Sequence, residues 1–180
     1  MTAAVTAKAG RISPQTGAFA AVTVSLAALA VLGQAQVRRG EAIGSAALLK
    51  LLNVAPAASL GTAVTFPAKG RYVGFNVAPG CTAALLVVPF FLVAGLLLLA
   101  GRVQPRRAAA TVAVFTAVVV VVNQLRLLVI GASMRIWGYP AGFDRSHVLL
   151  GSVVSTVGVA GGLLLFLRMV TPRQPRARRG

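Results

Sequence analysis

Four apolar stretches, residues 17–33, 82–100, 108–131 and 147–169, dominate this chain of 180 residues. Each is long enough to cross a hydrocarbon layer about 30 Å thick, which takes roughly 20 residues of helix. In lipid a backbone must satisfy its own hydrogen bonds, so segments of this kind form helices. Composition agrees: 57% of the residues are hydrophobic and 11% charged, with a mean hydropathy of +0.84. A soluble domain holds about 45–50% apolar and about 25% charged residues. The expected fold is an all-α membrane protein, a bundle of about four transmembrane helices forming one membrane domain.

The first stretch has a basic lead-in, Lys8 and Arg11, and small residues around Gly33 and Ala35. These features suit a secretory signal peptide as well as an anchor, and the lack of a crisp A-x-A site favours an uncleaved anchor. Either reading puts the N-terminus in the cytoplasm. Counting Lys and Arg beside the spans then gives ten on the cytoplasmic side and seven, spread over longer segments, on the outer side. That asymmetry is the positive-inside bias, and the basic tail 170–180 reads as cytoplasmic, against anionic lipid. Trp137 and Tyr139 fall at the outer end of the third span, where amphipathic aromatics anchor.

Between 34 and 80 the character changes. Residues 41–52 place apolar side chains at partly helical spacing with Lys50 opposite, which suits a helix lying in the membrane interface. Residues 63–66 and 71–77 alternate apolar with polar around a turn at 67–70, as a short hairpin does. Together they predict a small extracytoplasmic cap of interfacial helix and hairpin, ending at Pro79-Gly80 just before Cys81 and the second span.

Charge and motifs exclude several functions. The formal net charge is +16, with Glu41 and Asp144 the only acidic residues, yet the basic residues lack aromatic interleaving or any nucleic-acid-binding module, so lipid and not nucleic acid is the expected partner. One cysteine permits no intramolecular disulfide. Cys81, His147 and two scattered carboxylates show no metal-ligand spacing, and no cofactor is expected. A G-x-S-x-G elbow, a phosphate-binding glycine loop and paired intramembrane carboxylates are all missing. The spans supply too few polar groups for a channel or carrier.

What remains is one cysteine, one histidine and one arginine expected at the same face of the bilayer. Cys81 precedes an outward-starting helix, whose N-terminal partial charge and free N–H groups favour a thiolate; taken alone, a lone cysteine in a membrane helix ordinarily packs as a small hydrophobe. Arg126 lies five residues before the outer end of the third span, about 7–8 Å below it at 1.5 Å per residue. Burying a guanidinium there costs about 2.5–3.5 kcal/mol on insertion scales, unless the side chain snorkels outward. Asn123, one turn earlier, either orients Arg126 or hydrogen-bonds a neighbouring helix. His147 opens the fourth span, and Asp144 either caps that helix or holds the imidazole. Gly158 and Gly162 form a G-x-x-x-G that permits close helix packing.

The order of these motifs resembles the exosortase/archaeosortase family. An alternating segment with a Gly turn leads into Asn76-Val-Ala-Pro-Gly-Cys81-Thr; a helix with Asn123-Gln-Leu-Arg126-Leu follows, and then a loop ending at His147 with Gly151 beyond. The resemblance covers roughly residues 62–167. It implies a membrane-embedded cysteine peptidase/transpeptidase that cleaves C-terminal sorting signals of exported proteins at the outer face. It also implies Cys81 as nucleophile, Arg126 as the motif arginine and His147 as the third catalytic member. The chain departs from the pattern in placing Thr82-Ala83 after the cysteine, where many relatives have Ser-Gly, and in having fewer spans than larger members.

The rival expectation is a non-catalytic membrane scaffold or assembly subunit, in which the three side chains do not converge. A membrane-impermeant thiol reagent applied to intact cells separates the two. Cys81 should label, and less strongly once Arg126 is replaced; no labelling in either background contradicts an outward-facing thiolate.

Overall fold

A computed structural model describes residues 14–170. The basic lead-in with Lys8 and Arg11 and the tail from residue 171 onward lie outside the described residues. The elements are α1 (Pro14–Leu32), α2 (Gln34–Leu51), β1 (Ala58–Leu60), β2 (Ala63–Ala68), β3 (Arg71–Asn76), a 3-10 turn (Pro79–Cys81), α3 (Ala83–Leu99), α4 (Pro105–Trp137), α5 (Ala141–Asp144), a π turn (Arg145–Leu150) and α6 (Gly151–Val170). Two of these helices, Pro14–Leu32 and Pro105–Trp137, are long and apolar enough to cross a membrane, and Ala83–Leu99 and Thr156–Met169 are shorter apolar helices.

The apolar helices pack in a row, α1 on α3, α3 on α4 and α4 on α6. Their shared core holds Ala27, Val87, Phe91, Val112, Phe115, Val119 and Phe166, with the Phe90, Phe115 and Phe166 rings meeting at its centre. The glycines of the fourth apolar stretch serve this packing inside the chain: Gly158 faces Val122, and a Cβ on Gly162 would stand 2.8 Å from the Phe115 ring. α6 is therefore antiparallel to α4 along the stripe of Phe115 and Val122.

α4 has 33 residues, longer than the expected 108–131, and so extends roughly 50 Å against a hydrocarbon thickness of about 30 Å. Its last turns leave the lipid-like core and enter a second one. There Leu127, Ile130 and Met134 pack with Ala42, Ala46 and Leu49 of α2 and with Val64, Phe66 and Phe75 of the sheet.

Three expectations are corrected. The segment expected as an interfacial helix at 41–52 begins at Gln34, and its buried Glu41, Ala42, Ser45, Ala46 and Leu49 run along α4. The contacts of Ser45 with Gln124 and of Leu49 with Gly131 show α2 and α4 running in the same direction. Small residues on that stripe favour a neighbouring helix over lipid. The expected hairpin is a three-stranded antiparallel sheet, ordered β1-β2-β3. β1 is only three residues long and exposed throughout, so it has no alternation to read. The turn is just Lys69-Gly70, both at positive φ (49° and 75°), as a type I′ hairpin requires. Pro67 stays inside β2, beyond Thr65 where pairing with β1 ends, so no strand lies there to miss its N–H. Finally, His147 does not open a helix. The helical path starts at Ala141 and passes through the π turn that contains His147.

Gly142 explains that earlier start. A Cβ there would stand 2.5 Å from the Ser133 carbonyl oxygen and 2.7 Å from Met134 Cα, so only glycine lets α5 rest on the α4 backbone. Gly142→Ala should therefore cost about 1–3 kcal/mol, the usual penalty of overpacking, and lower the thermal midpoint in detergent. Gly80→Ala, with nothing within 4 Å, should leave it unchanged.

Candidate active site

Between the two apolar cores lies a layer of buried polar groups, built from α2, α4 and the start of α3. At its centre is Glu41, only 5% exposed. Its Oε1 accepts from the Ala83 backbone N–H at 2.8 Å and from Asn123 Nδ2 at 2.9 Å. Around it, Ser45 Oγ donates to Gln124 Oε1 at 2.8 Å, and Gln124 Nε2 donates to the Glu41 carbonyl at 3.4 Å. One carboxylate oxygen thus joins three helices. The layer is not fully satisfied: Glu41 Oε2, Asn123 Oδ1, Arg38 Nε and Arg126 Nε are buried without hydrogen-bond partners.

Cys81 sits at the rim of this layer. It ends the 3-10 turn and is a free, half-buried thiol, two residues before the Ala83 amide held by Glu41. α3 begins just after it, with Thr82 as N-cap accepting from the Ala84 N–H at 3.2 Å. Thr82 thus supplies the capping hydroxyl at this helix start. Sequence reasoning assigned the free N–H groups of this helix start to a thiolate, but Ala83 and Ala84 already donate to Glu41 and Thr82. These two amides are therefore not free to support an anion at Cys81.

Asn123 is 2% exposed and spends its amide on Glu41, which makes it a cross-helix tie. Arg126 lies one turn further along α4, on the stripe of Phe115 and Val122 that faces α6. Gly142 rests on Ser133 and Met134 while Gly158 faces Val122, so His147 falls between those two contacts, nearer the first. Its ring is stacked on Phe143, with centroids 4.9 Å apart and planes 9° from parallel, and Phe143 packs against the sheet-side core. π turns recur at functional sites because they redirect side chains. Among the described residues, no hydrogen bond joins Cys81, Arg126 and His147 to one another. Asp144 is exposed and caps nothing, since it closes α5 within a continuing helical path.

Glu41 and Arg38 escaped the sequence reading as site residues. The available signal was one of only two acids, set among Gly40, Ala42, Gly44, Ser45 and Ala46. Small residues bring helices close, and a carboxylate among them must find buried donors.

A helical protein with long apolar spans, and a cysteine two residues before a backbone amide held by a buried carboxylate, belongs to the class of membrane proteins with a polar layer between helices. Comparison narrows this class. The transmembrane exosortase family model matches residues 17–166, and the chain belongs to that family. Nothing among curated proteins or solved structures matches it. The matched region takes in α2 and Glu41 as well as the three motifs.

Replacing Asn123 tests the tie. Asn123→Ala leaves the buried Glu41 Oε1 with a single donor, and an unmet buried group costs about 1–3 kcal/mol. The expected result is a lower thermal midpoint in detergent, measured against wild-type protein.

Proposed function

We propose that this chain is a membrane-embedded cysteine peptidase/transpeptidase that processes C-terminal sorting signals of exported proteins at the outer face of the plasma membrane. In this reading α1, α3, α4 and α6 span the bilayer with both termini cytoplasmic, and α2 with the sheet forms the extracytoplasmic cap. The observation that carries it is the Glu41 tie, which links the residue two after Cys81 to the residue one turn before Arg126. Membership of the exosortase family supplies the reaction class.

The chemistry follows from the side chains. His147 takes the thiol proton of Cys81, and the thiolate attacks the carbonyl carbon of the scissile peptide bond. Arg126 stays protonated, so its task is to stabilise the thiolate and the developing oxyanion. The carbon–nitrogen bond then breaks, and the imidazolium gives its proton to the leaving amine, leaving a thioester on Cys81. An acceptor nucleophile loses its proton to His147 and attacks the thioester, releasing the thiolate. Transfer outruns hydrolysis where water is partly excluded, and a layer roofed by the sheet-side core provides that.

A tagged protein bearing a C-terminal sorting signal, co-expressed with each variant and followed by immunoblot, tests the reading. Cys81→Ala, Cys81→Ser and Arg126→Ala should each leave the uncleaved, membrane-anchored form accumulating. His147→Ala should slow cleavage about 10²- to 10⁴-fold, the usual worth of general acid–base catalysis. Normal processing by Cys81→Ala sinks the enzyme reading.

A further inference from the structure

We infer that α2 is a positioning clamp for the nucleophile, with Glu41 and Arg38 as its two arms; this rests on the cysteine-enzyme reading above. The segment that carries Cys81 has little structure of its own. Ala78, Pro79 and Gly80 are exposed, nothing stands within 4 Å of a Cβ on Gly80, and the 3-10 turn is three residues long. The exposed tip lies between two anchored residues, Val77, buried with its N–H bonded to the Thr62 carbonyl, and Thr82, which is buried. α2 grips it on both sides. Arg38 Nη1 donates to the Val77 carbonyl at 3.4 Å, four residues before the cysteine, and Glu41 Oε1 accepts from the Ala83 N–H at 2.8 Å, two residues after it. Arg38 and Glu41 are three residues apart on α2, hence on one face. Asn123 then fastens that face to α4 one turn from Arg126.

The charge on Glu41 fits this role. A hydrogen bond to a carboxylate is shorter and roughly twice as strong as a neutral one, and an anion at the start of α3 also meets the positive end of the helix. The bond therefore holds α3, and Cys81 with it, against the fluctuations of the exposed turn. Neither clamp residue touches reacting atoms. They act through the placement of Cys81.

Full-length protein, purified in detergent and assayed on a sorting-signal peptide, distinguishes placement from simple stability. Glu41→Ala should lower kcat about 10²-fold, the cost of a displacement near 1 Å, with KM held within about twofold, as expected when only transition-state geometry is lost. Glu41→Gln keeps an oxygen for the Ala83 N–H and should recover most of kcat. Arg38→Ala cuts the other arm and should lower kcat in the same direction, which keeps the test open if Glu41→Ala does not fold. Rates are normalised to folded protein by size-exclusion chromatography and thermal melting. Wild-type kcat in Glu41→Ala and Arg38→Ala alongside an inactive Cys81→Ala overturns the clamp and spares the enzyme reading. A loss confined to KM, or one that vanishes on normalisation, also overturns it. An active Cys81→Ala removes both.

Discussion

The Glu41 carboxylate is the point on which the molecule's polar architecture depends. A charge taken out of water is costly unless it is hydrogen-bonded, and this one is held by a backbone amide of α3 and a side-chain amide of α4 while belonging to α2. Apolar packing alone would let these helices slide or rotate by small amounts, because contact between hydrocarbon surfaces has little direction. A charge-assisted hydrogen bond has both length and angle. It converts a bundle held by shape into one with a fixed register at a single level, two residues after Cys81 on one helix and one turn before Arg126 on another.

That level separates two cores of different kinds. On one side Phe91, Phe115 and Phe166 fill the space between long apolar helices; on the other, alanines of α2 and the valines and phenylalanines of a small sheet pack on the last turns of α4. At the helix start beside Cys81 two amides are already committed, since Glu41 and Thr82 take the N–H groups of Ala83 and Ala84. The unsatisfied atoms belong to side chains, among them Arg38, Arg126 and the second oxygen of Glu41.

Much of this was legible in the residues. The long apolar runs gave the helices, because a single segment satisfies its own backbone in lipid only as a helix, and the Asn-x-x-Arg spacing gave a polar face on α4. What could not be read has physical causes. β1 is too short and too exposed to alternate. α2 owes its place to small side chains whose partner, Gln124 and Gly131 on α4, lies some eighty residues away. The early start of the helical path before His147 goes with the fit of Gly142 onto the α4 backbone, a tertiary contact with no local pattern. Glu41 was visible as a rare acid, but its donors became apparent only once three helices were brought together.

The length of α4 has a consequence of its own. A helix of 33 residues can traverse the hydrocarbon and still have roughly 20 Å to spare, so the same rod passes through the apolar bundle, the polar layer and the sheet-side core. On the proposed reading, the height of the polar layer above the midplane is then fixed by a rigid body anchored in lipid. Bilayers differ in thickness by a few Å, and helices answer a mismatch by tilting. Lipid composition thereby becomes part of the geometry of the site: a thicker membrane would draw the polar layer toward the hydrocarbon, and a thinner one would lift it into water.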